Sequence, residues 1–280
     1  MNIKRLLIGY TRITRPSTSI STILTSITAT VANGDPLNHV DIITLSLLYI
    51  GVYLSHSAVN IFNDYFDYRS GLDLYTLKTS FSGGSKTIVN GIVSDREALY
   101  MGLVTIVLAG IIGLYLASSR GFLVLVLMII GAAIILGYTS IFTKIGLGEI
   151  SVYLKGVLVS IGSYYVVYQT IDPISYLIGS LFGSTSLTTL FINSLPDSEI
   201  DKLFGRKNLA ISVREDKIWL IYLILLLIVS THILIINLLI KEFITYIFLV
   251  PWSIAIFIAI TNSLYLRKIL FIKYMYYEKI

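Results

Sequence analysis

The sequence predicts an all-α, polytopic transmembrane bundle of eight helices around a central cavity, and three observations predict it. Of 280 residues, 55% are hydrophobic and only 13% charged, and the mean hydropathy is +0.82, too apolar for a soluble domain with a wet surface. The apolar residues are gathered into charge-free runs of the roughly 20 residues that a bilayer helix needs. Basic residues alternate by connection: 18 of the 21 Lys and Arg fall on one side of an eight-helix arrangement, Arg120 and Lys241 fall on the other, and Lys155 is inside a span. The positive-inside rule places both termini and the two long loops in the cytoplasm of a multi-pass cell-membrane protein. The net charge of +5 follows from this topology and does not point to nucleic acid.

Taken in order, residues 1–15 read as an amphipathic cytoplasmic lead-in. Lys4 and Arg5 precede an apolar stretch too short for a signal-peptide core, and Arg12 and Arg15 interrupt it. Residues 17–32, rich in Ser and Thr, make a weak first span. Seven stronger ones follow at 42–61, 98–119, 122–141, 150–170, 174–195, 218–240 and 243–266. Residues 263–280 are broken by Arg267, Lys268 and Lys273 and read as interfacial, with Tyr274, Tyr276 and Tyr277 at headgroup level; a ninth helix is the alternative. No stretch between spans exceeds about 35 residues, too short for a separate domain of ordinary size, so residues 1–280 form a single domain. There is no cysteine, which excludes disulfides, thiolate ligands and Cys nucleophiles.

Chemistry concentrates in the cytoplasmic loops 63–96 and 194–217. The first opens with Asn60, Asn63, Asp64 and Asp67 in NIFNDYFDYRSGLD, at the end of the second span. Residues 60, 64 and 67 are spaced i, i+4, i+7, so a continuing helix puts them on one face. Carboxylates so clustered repel one another unless a cation is present. Oxygen ligands suit magnesium, which takes one or two carboxylates and completes its shell with water and phosphate oxygens. A solvated acidic helix end is the plainer alternative. The end of the sixth span repeats the design with Asn193, Asp197 and Asp201 in NSLPDSEIDKLFGRKNLA, and Pro196 suits the first turn of a new helix. Four spans separate the clusters, so both lie at the same depth on the same side. With Lys86, Lys202, Arg206 and Lys207 nearby, they describe a diphosphate site in which Asp64, Asp67, Asp197 and Asp201 hold metal and the cations neutralise phosphate.

These strings resemble the UbiA superfamily of intramembrane prenyltransferases, in which an NxxxDxxxD motif follows the second helix and a DxxxD motif follows the sixth. Here Asn60 and Asp64 are followed by Asp67 and Asp73, with Gly71 between, a departure toward the menaquinone branch. NDYFDYRSGLD, FSGGSKTIVNG at Phe81 to Gly91 and GLGE at Gly146 to Glu149 look like motifs of 1,4-dihydroxy-2-naphthoate prenyltransferases. The KxxRPxPSG string of other branches is absent. The resemblance implies an Mg2+-dependent enzyme that ionises an allylic prenyl diphosphate and transfers the prenyl group to an aromatic quinone precursor. A glycerol-phosphate ether lipid precursor is the alternative acceptor. Tyr65, Phe66 and Tyr138 are the aromatics nearest the motifs, available to face the cation that departure of diphosphate leaves.

Lys155 is expensive inside a span unless it faces a cavity or partner. It reads either as a contact to acceptor or diphosphate or as a snorkelling anchor, and Tyr138 is assigned with it to the acceptor end. His56 lies one turn before Asn60 and either lines the pocket or is a satisfied bundle histidine; His232 reads as structural. The Gly83–Gly84 pair offers backbone N–H groups to phosphate, as in a lid over diphosphate, but lacks P-loop spacing. A transporter is the reading from another class. Its acids would lie near the midplane, whereas these are at span ends.

Overall fold

The computed structural model describes residues 3–78, 82–239 and 261. Among these the chain is helical, without strands: α1 (Ile3–Thr14), α2 (Pro16–Val31), α3 (Ile42–Arg69), α4 (Leu72–Tyr75), α5 (Asp95–Arg120), α6 (Phe122–Gly137), α7 (Thr143–Ile145), α8 (Gly148–Tyr168), α9 (Pro173–Ser194), α10 (Ser198–Leu203), α11 (Leu209–Ser212) and α12 (Ile218–Leu239). Six of the described helical stretches are long and apolar enough to cross a membrane, at 42–70, 95–120, 122–145, 148–168, 173–194 and 215–236. The span expected at 243–266, apart from residue 261, the 263–280 segment and Lys241 lie outside the described residues.

The long helices start where local chemistry says they should. Asp41 accepts from Thr44 N at 2.6 Å ahead of α3. Ser94 and Glu97 form a reciprocal capping box at the start of α5, and Asp172 followed by Pro173 opens α9. Rows of exposed apolar side chains such as Leu103, Val107, Ile111 and Leu114 on α5 are the faces a bilayer would solvate.

Two expectations change. The loop expected from residue 63 begins as helix, because α3 continues almost two turns further to Arg69. The span expected at 122–141 ends in a π-helical turn, Tyr138–Phe142, followed by the single turn α7. At 16 residues, α2 is about 24 Å long, less than a hydrocarbon core of about 30 Å. One face of it packs against α3, α8 and α9, and Ile20, Leu24, Ile27 and Val31 on the other are exposed. Its buried face carries Ser19, Thr22, Thr25, Ser26 and Thr30, and the last four meet polar partners, with Ser26 Oγ 2.7 Å from Ser163 Oγ and Thr30 Oγ1 2.6 Å from Tyr49 OH. Helices α8 and α9 touch backbone to backbone. A Cβ on Gly156 would come within 2.6 Å of Gly183 N, and one on Gly183 within 2.5 Å of Tyr153 O.

Arg120, at the far end of α5, donates to Val166 O at 2.6 Å and Val167 O at 2.8 Å, closing the end of α8. Both aspartate clusters lie at the other end of the bundle.

Candidate active site

The C-terminal turns of α3 present Asn60, Asp64 and Asp67 on one buried face. Asn60 donates its amide to Thr14 O at 2.7 Å and Thr18 Oγ1 at 3.0 Å, so it anchors the elbow between α1 and α2. That elbow is Arg15, whose φ of 47° is unusual for a non-glycine residue. Pro16 follows it as the first residue of α2. The turn sends the Arg15 guanidinium onto Asp64, which also accepts from Ser85 N at 3.3 Å and from the Ser85 hydroxyl. Asp64 is 1% exposed. Asn63 donates to Asp67 Oδ2 at 3.1 Å and accepts from Thr139 Oγ1 at 2.9 Å, which ties Asp67 to the π-helical turn and sets Tyr138 beside it at the cavity wall.

The second cluster is built by α10. Asp197 sits at its N-cap, and Asp201, one turn on, donates its N–H to Asp197 O at 2.8 Å. Gly205, with φ 75°, turns the chain back so that Arg206 N meets Asp201 O at 3.0 Å. The Arg206 guanidinium then bridges the clusters, with Nη1 3.3 Å from Asp201 Oδ1 and Nη2 paired to Asp67. Asn208 Nδ2 donates to Asp201 Oδ2 at 3.3 Å. Burial pushes the Asp201 carboxyl up to about 6 and raises that of Asp197. The GLGE string and α7 before it support this corner: Glu149 Oε1 accepts from Leu209 N at 2.6 Å, and Thr143 O accepts from Lys207 N at 2.7 Å.

Residues 82–91 strap the two clusters together. Ser82 and the Gly83 N–H donate to Asp197, while Ser85 holds Asp64. Gly83 adopts φ 78° with Leu77 O only 2.2 Å from where a Cβ would sit, so no side chain is accommodated there. Lys78 Nζ donates to Ser85 O at 3.0 Å.

Arg15, Asp67, Asp73, Asp197, Asp201 and Arg206 stand at the mouth of one cavity of about 890 Å³. Its body is apolar, lined by Ile112, Leu116, Leu127, Met128 and Ile135. Lys155, His56 and Ser163 also line it. Lys155 has no hydrogen bond or ion pair among the described residues, whereas His56 is satisfied by Thr22 Oγ1 at 2.7 Å.

The structure brings together most of the residues singled out from sequence: Asn60, Asn63, Asp67, Asp73, Tyr138, Lys155, Asn193, Asp197, Asp201 and Arg206 all line the cavity. Asp64 lies just behind, covered by Arg15 and Ser85. Three cations are placed otherwise. Lys86 is buried on Asp73 and Thr76, its Nζ 3.2 Å from Asp73 Oδ1, 2.5 Å from Asp73 O and 2.7 Å from Thr76 Oγ1. Lys202 and Lys207 are exposed and off the cavity wall.

Sequence reading missed Arg12, which lines the cavity, and Arg15, both assigned to topology alone, and Ser82 and Ser85. The Arg15–Pro16 step between two helical runs was the available signal, because a residue before proline is driven out of the helical region.

Among the described residues no three acidic or histidine side chains converge as a ready cage for a metal. The donors are oxygen only and come in facing pairs such as Asp67 and Asp201, joined through Arg206. That set fits magnesium, which takes one or two carboxylates and leaves the rest of its shell to water and phosphate.

The UbiA prenyltransferase family profile matches residues 19–268. The chain is 30% identical over 163 residues to the 1,4-dihydroxy-2-naphthoate octaprenyltransferase of Bacillus subtilis (strain 168), covering 55% of this chain and 50% of that protein. It is 31% identical over 189 residues to the protein of the same name from Escherichia coli (strain K12), covering 63% and 59%. The chain thus spans between half and three-fifths of the length of these curated relatives. A solved structure of a UbiA homolog from Archaeoglobus fulgidus bound to GPP and Mg2+ superposes with a TM-score of 0.69 at 16% identity, covering 94% of this chain and 96% of that one.

Proposed function

The chain belongs to the UbiA prenyltransferase family, and from that premise we propose that it transfers a polyprenyl group from an allylic prenyl diphosphate to an aromatic quinone precursor in the membrane. The observation that carries this reading is the junction of both aspartate clusters, through Arg206, at the mouth of a cavity whose body is apolar. Diphosphate is polar and the prenyl chain is not, and the cavity is divided in the same way.

In this reading Asp64, Asp67, Asp197 and Asp201 hold magnesium, which neutralises charge on the departing diphosphate when bound. Arg206 and Arg15 donate to phosphate oxygens, and the Gly83 and Ser85 N–H groups stand within the same rim. The apolar wall of Ile112, Leu116 and Met128 receives the prenyl chain and keeps water from the allylic carbon. Tyr138 presents its ring beside the clusters, where an allylic cation would form. Lys155, without a partner of its own among the described residues, is left to recognise the acceptor's anionic group. The naphthoate reading draws support from the two curated relatives. The placement of 18 of 21 basic residues supports a cytoplasmic mouth and a multi-pass cell-membrane location.

The test is to incubate purified protein with Mg2+, geranylgeranyl diphosphate and a panel of acceptors that includes dihydroxynaphthoate and a glycerol-phosphate ether, and to identify products by mass. A prenylated naphthoquinol is expected. Product with the glycerol ether alone would reassign the acceptor, and uptake of a solute into proteoliposomes without any product would reassign the class.

A further inference from the structure

Every carboxylate at the cavity mouth already has a partner from the chain itself. Asp64 is held by Arg15 and Ser85, Asp67 by Arg206 and Asn63, and Asp73 by Lys86. Asp197 is held by Ser82 and the Gly83 N–H, and Asp201 by Arg206 and Asn208. Three cations thus pair with four of the five acids, in a region shielded from water where unpaired charge is costly.

We infer that Arg206 is an exchange group: it occupies the metal-facing oxygens of Asp67 and Asp201 in the ligand-free protein and moves to phosphate on binding. Metal and diphosphate thereby bind as an interdependent pair. The inference rests on the diphosphate reading above. A divalent cation entering alone would have to displace, or sit beside, a guanidinium held by two carboxylates at 3.3 Å or closer. A diphosphate entering alone would meet five carboxylates and find Arg15, Lys86 and Arg206 already engaged by them. Entering together, the cation takes the carboxylates and the diphosphate takes the guanidinium. The planar fork of Arg suits either oxyanion, so the transfer leaves no donor unpaired. The lack of a three-acid cage among the described residues agrees with a metal site completed by its co-ligand. Coupling of this kind is reciprocal, and each ligand must tighten the other by the same factor.

The experiment is calorimetric titration of the full chain in detergent micelles with Mg2+ alone, with inorganic pyrophosphate alone, and with each in the presence of the other, at matched free-ion concentrations. For the wild-type protein, pyrophosphate should tighten Mg2+ about tenfold or more, within the usual span of site-to-site coupling, and Mg2+ should tighten pyrophosphate equally. Arg206→Gln, which removes the placeholder charge, should bind Mg2+ alone more tightly than wild type and lose most of the coupling. Arg206→Lys keeps the charge and should retain coupling, and with the wild-type titration it decides the matter should the Gln variant not fold. Independent binding of the two ligands by the wild-type protein would overturn the exchange while leaving the diphosphate reading intact, as would weaker binding of Mg2+ alone in Arg206→Gln. Failure of the wild-type protein to bind either ligand would instead remove the diphosphate reading, and the exchange with it.

Discussion

At the scale of the residue, the aspartates and the arginines differ in how they could be read. Asp64 and Asp67, and Asp197 and Asp201, announce themselves because their spacing is local and helical. Arg15 does not, because its partner Asp64 is 49 positions away and is reached only through a left-handed elbow anchored by Asn60. Lys86 was legible as a cation near the motifs, yet its partner could not be read, and the structure sets it on Asp73.

Predictions follow at this scale. Asp67→Asn and Asp201→Asn should each lower turnover by about a hundredfold or more, as loss of a charge-stabilising group in a buried site does, with the folded protein still extractable. Initial rates at saturating Mg2+ check this. The raised carboxyl of Asp201, at about 6, gives the pH dependence its sign: the proton competes with the metal, so Mg2+ affinity should fall as pH drops through about 6. Mg2+ titrations in the presence of pyrophosphate at about pH 5 and about pH 7.5, run on wild type and on Asp201→Asn so that pyrophosphate's own protonation cancels, read the difference. Lys155→Met should raise the acceptor KM or abolish transfer while prenyl diphosphate binding persists. Unchanged acceptor kinetics would return Lys155 to an anchoring role.

At the scale of the element, the spans were readable because charge-free runs of membrane length have few alternatives. Where they end was not. The extension of α3 to Arg69 depends on arginines arriving from the elbow between α1 and α2 and from beyond α10 to offset the acids on its last turns. The π-helical turn at Tyr138–Phe142 is equally tertiary: Thr139 bonds Asn63 on another helix. The strap of residues 82–91 tests the corrected role of Lys86. Lys86→Met should leave Asp73 buried and unpaired, costing about 3–5 kcal/mol, and Asp73→Asn in the same chain should restore much of it. Thermal melts of the two single variants and the double variant in detergent decide. A Lys86→Met protein that melts with the wild type but binds pyrophosphate more weakly would put Lys86 back on the diphosphate.

At the scale of the whole molecule, the bundle sets two sparse polar loops at one end of an apolar cavity, and its close helix pair fixes their separation. Gly156, Gly179 and Gly183 let α8 and α9 approach until backbones touch, and α9 leads directly into the second aspartate cluster. A single apolar run in sequence does not disclose that packing, whereas the same-end placement of the clusters followed from counting spans. The central claim is that paired acids at the cavity mouth use magnesium to release diphosphate from a prenyl donor. The most direct measurement is pyrophosphate release from geranylgeranyl diphosphate and dihydroxynaphthoate by the purified protein, with Mg2+ and with excess chelator, in wild type, Asp67→Asn and Asp201→Asn. The account predicts Mg2+-dependent release in step with prenylated product, lost on chelation and nearly lost in both variants. Release that survives the chelator, or that both variants sustain at the wild-type rate, would contradict it.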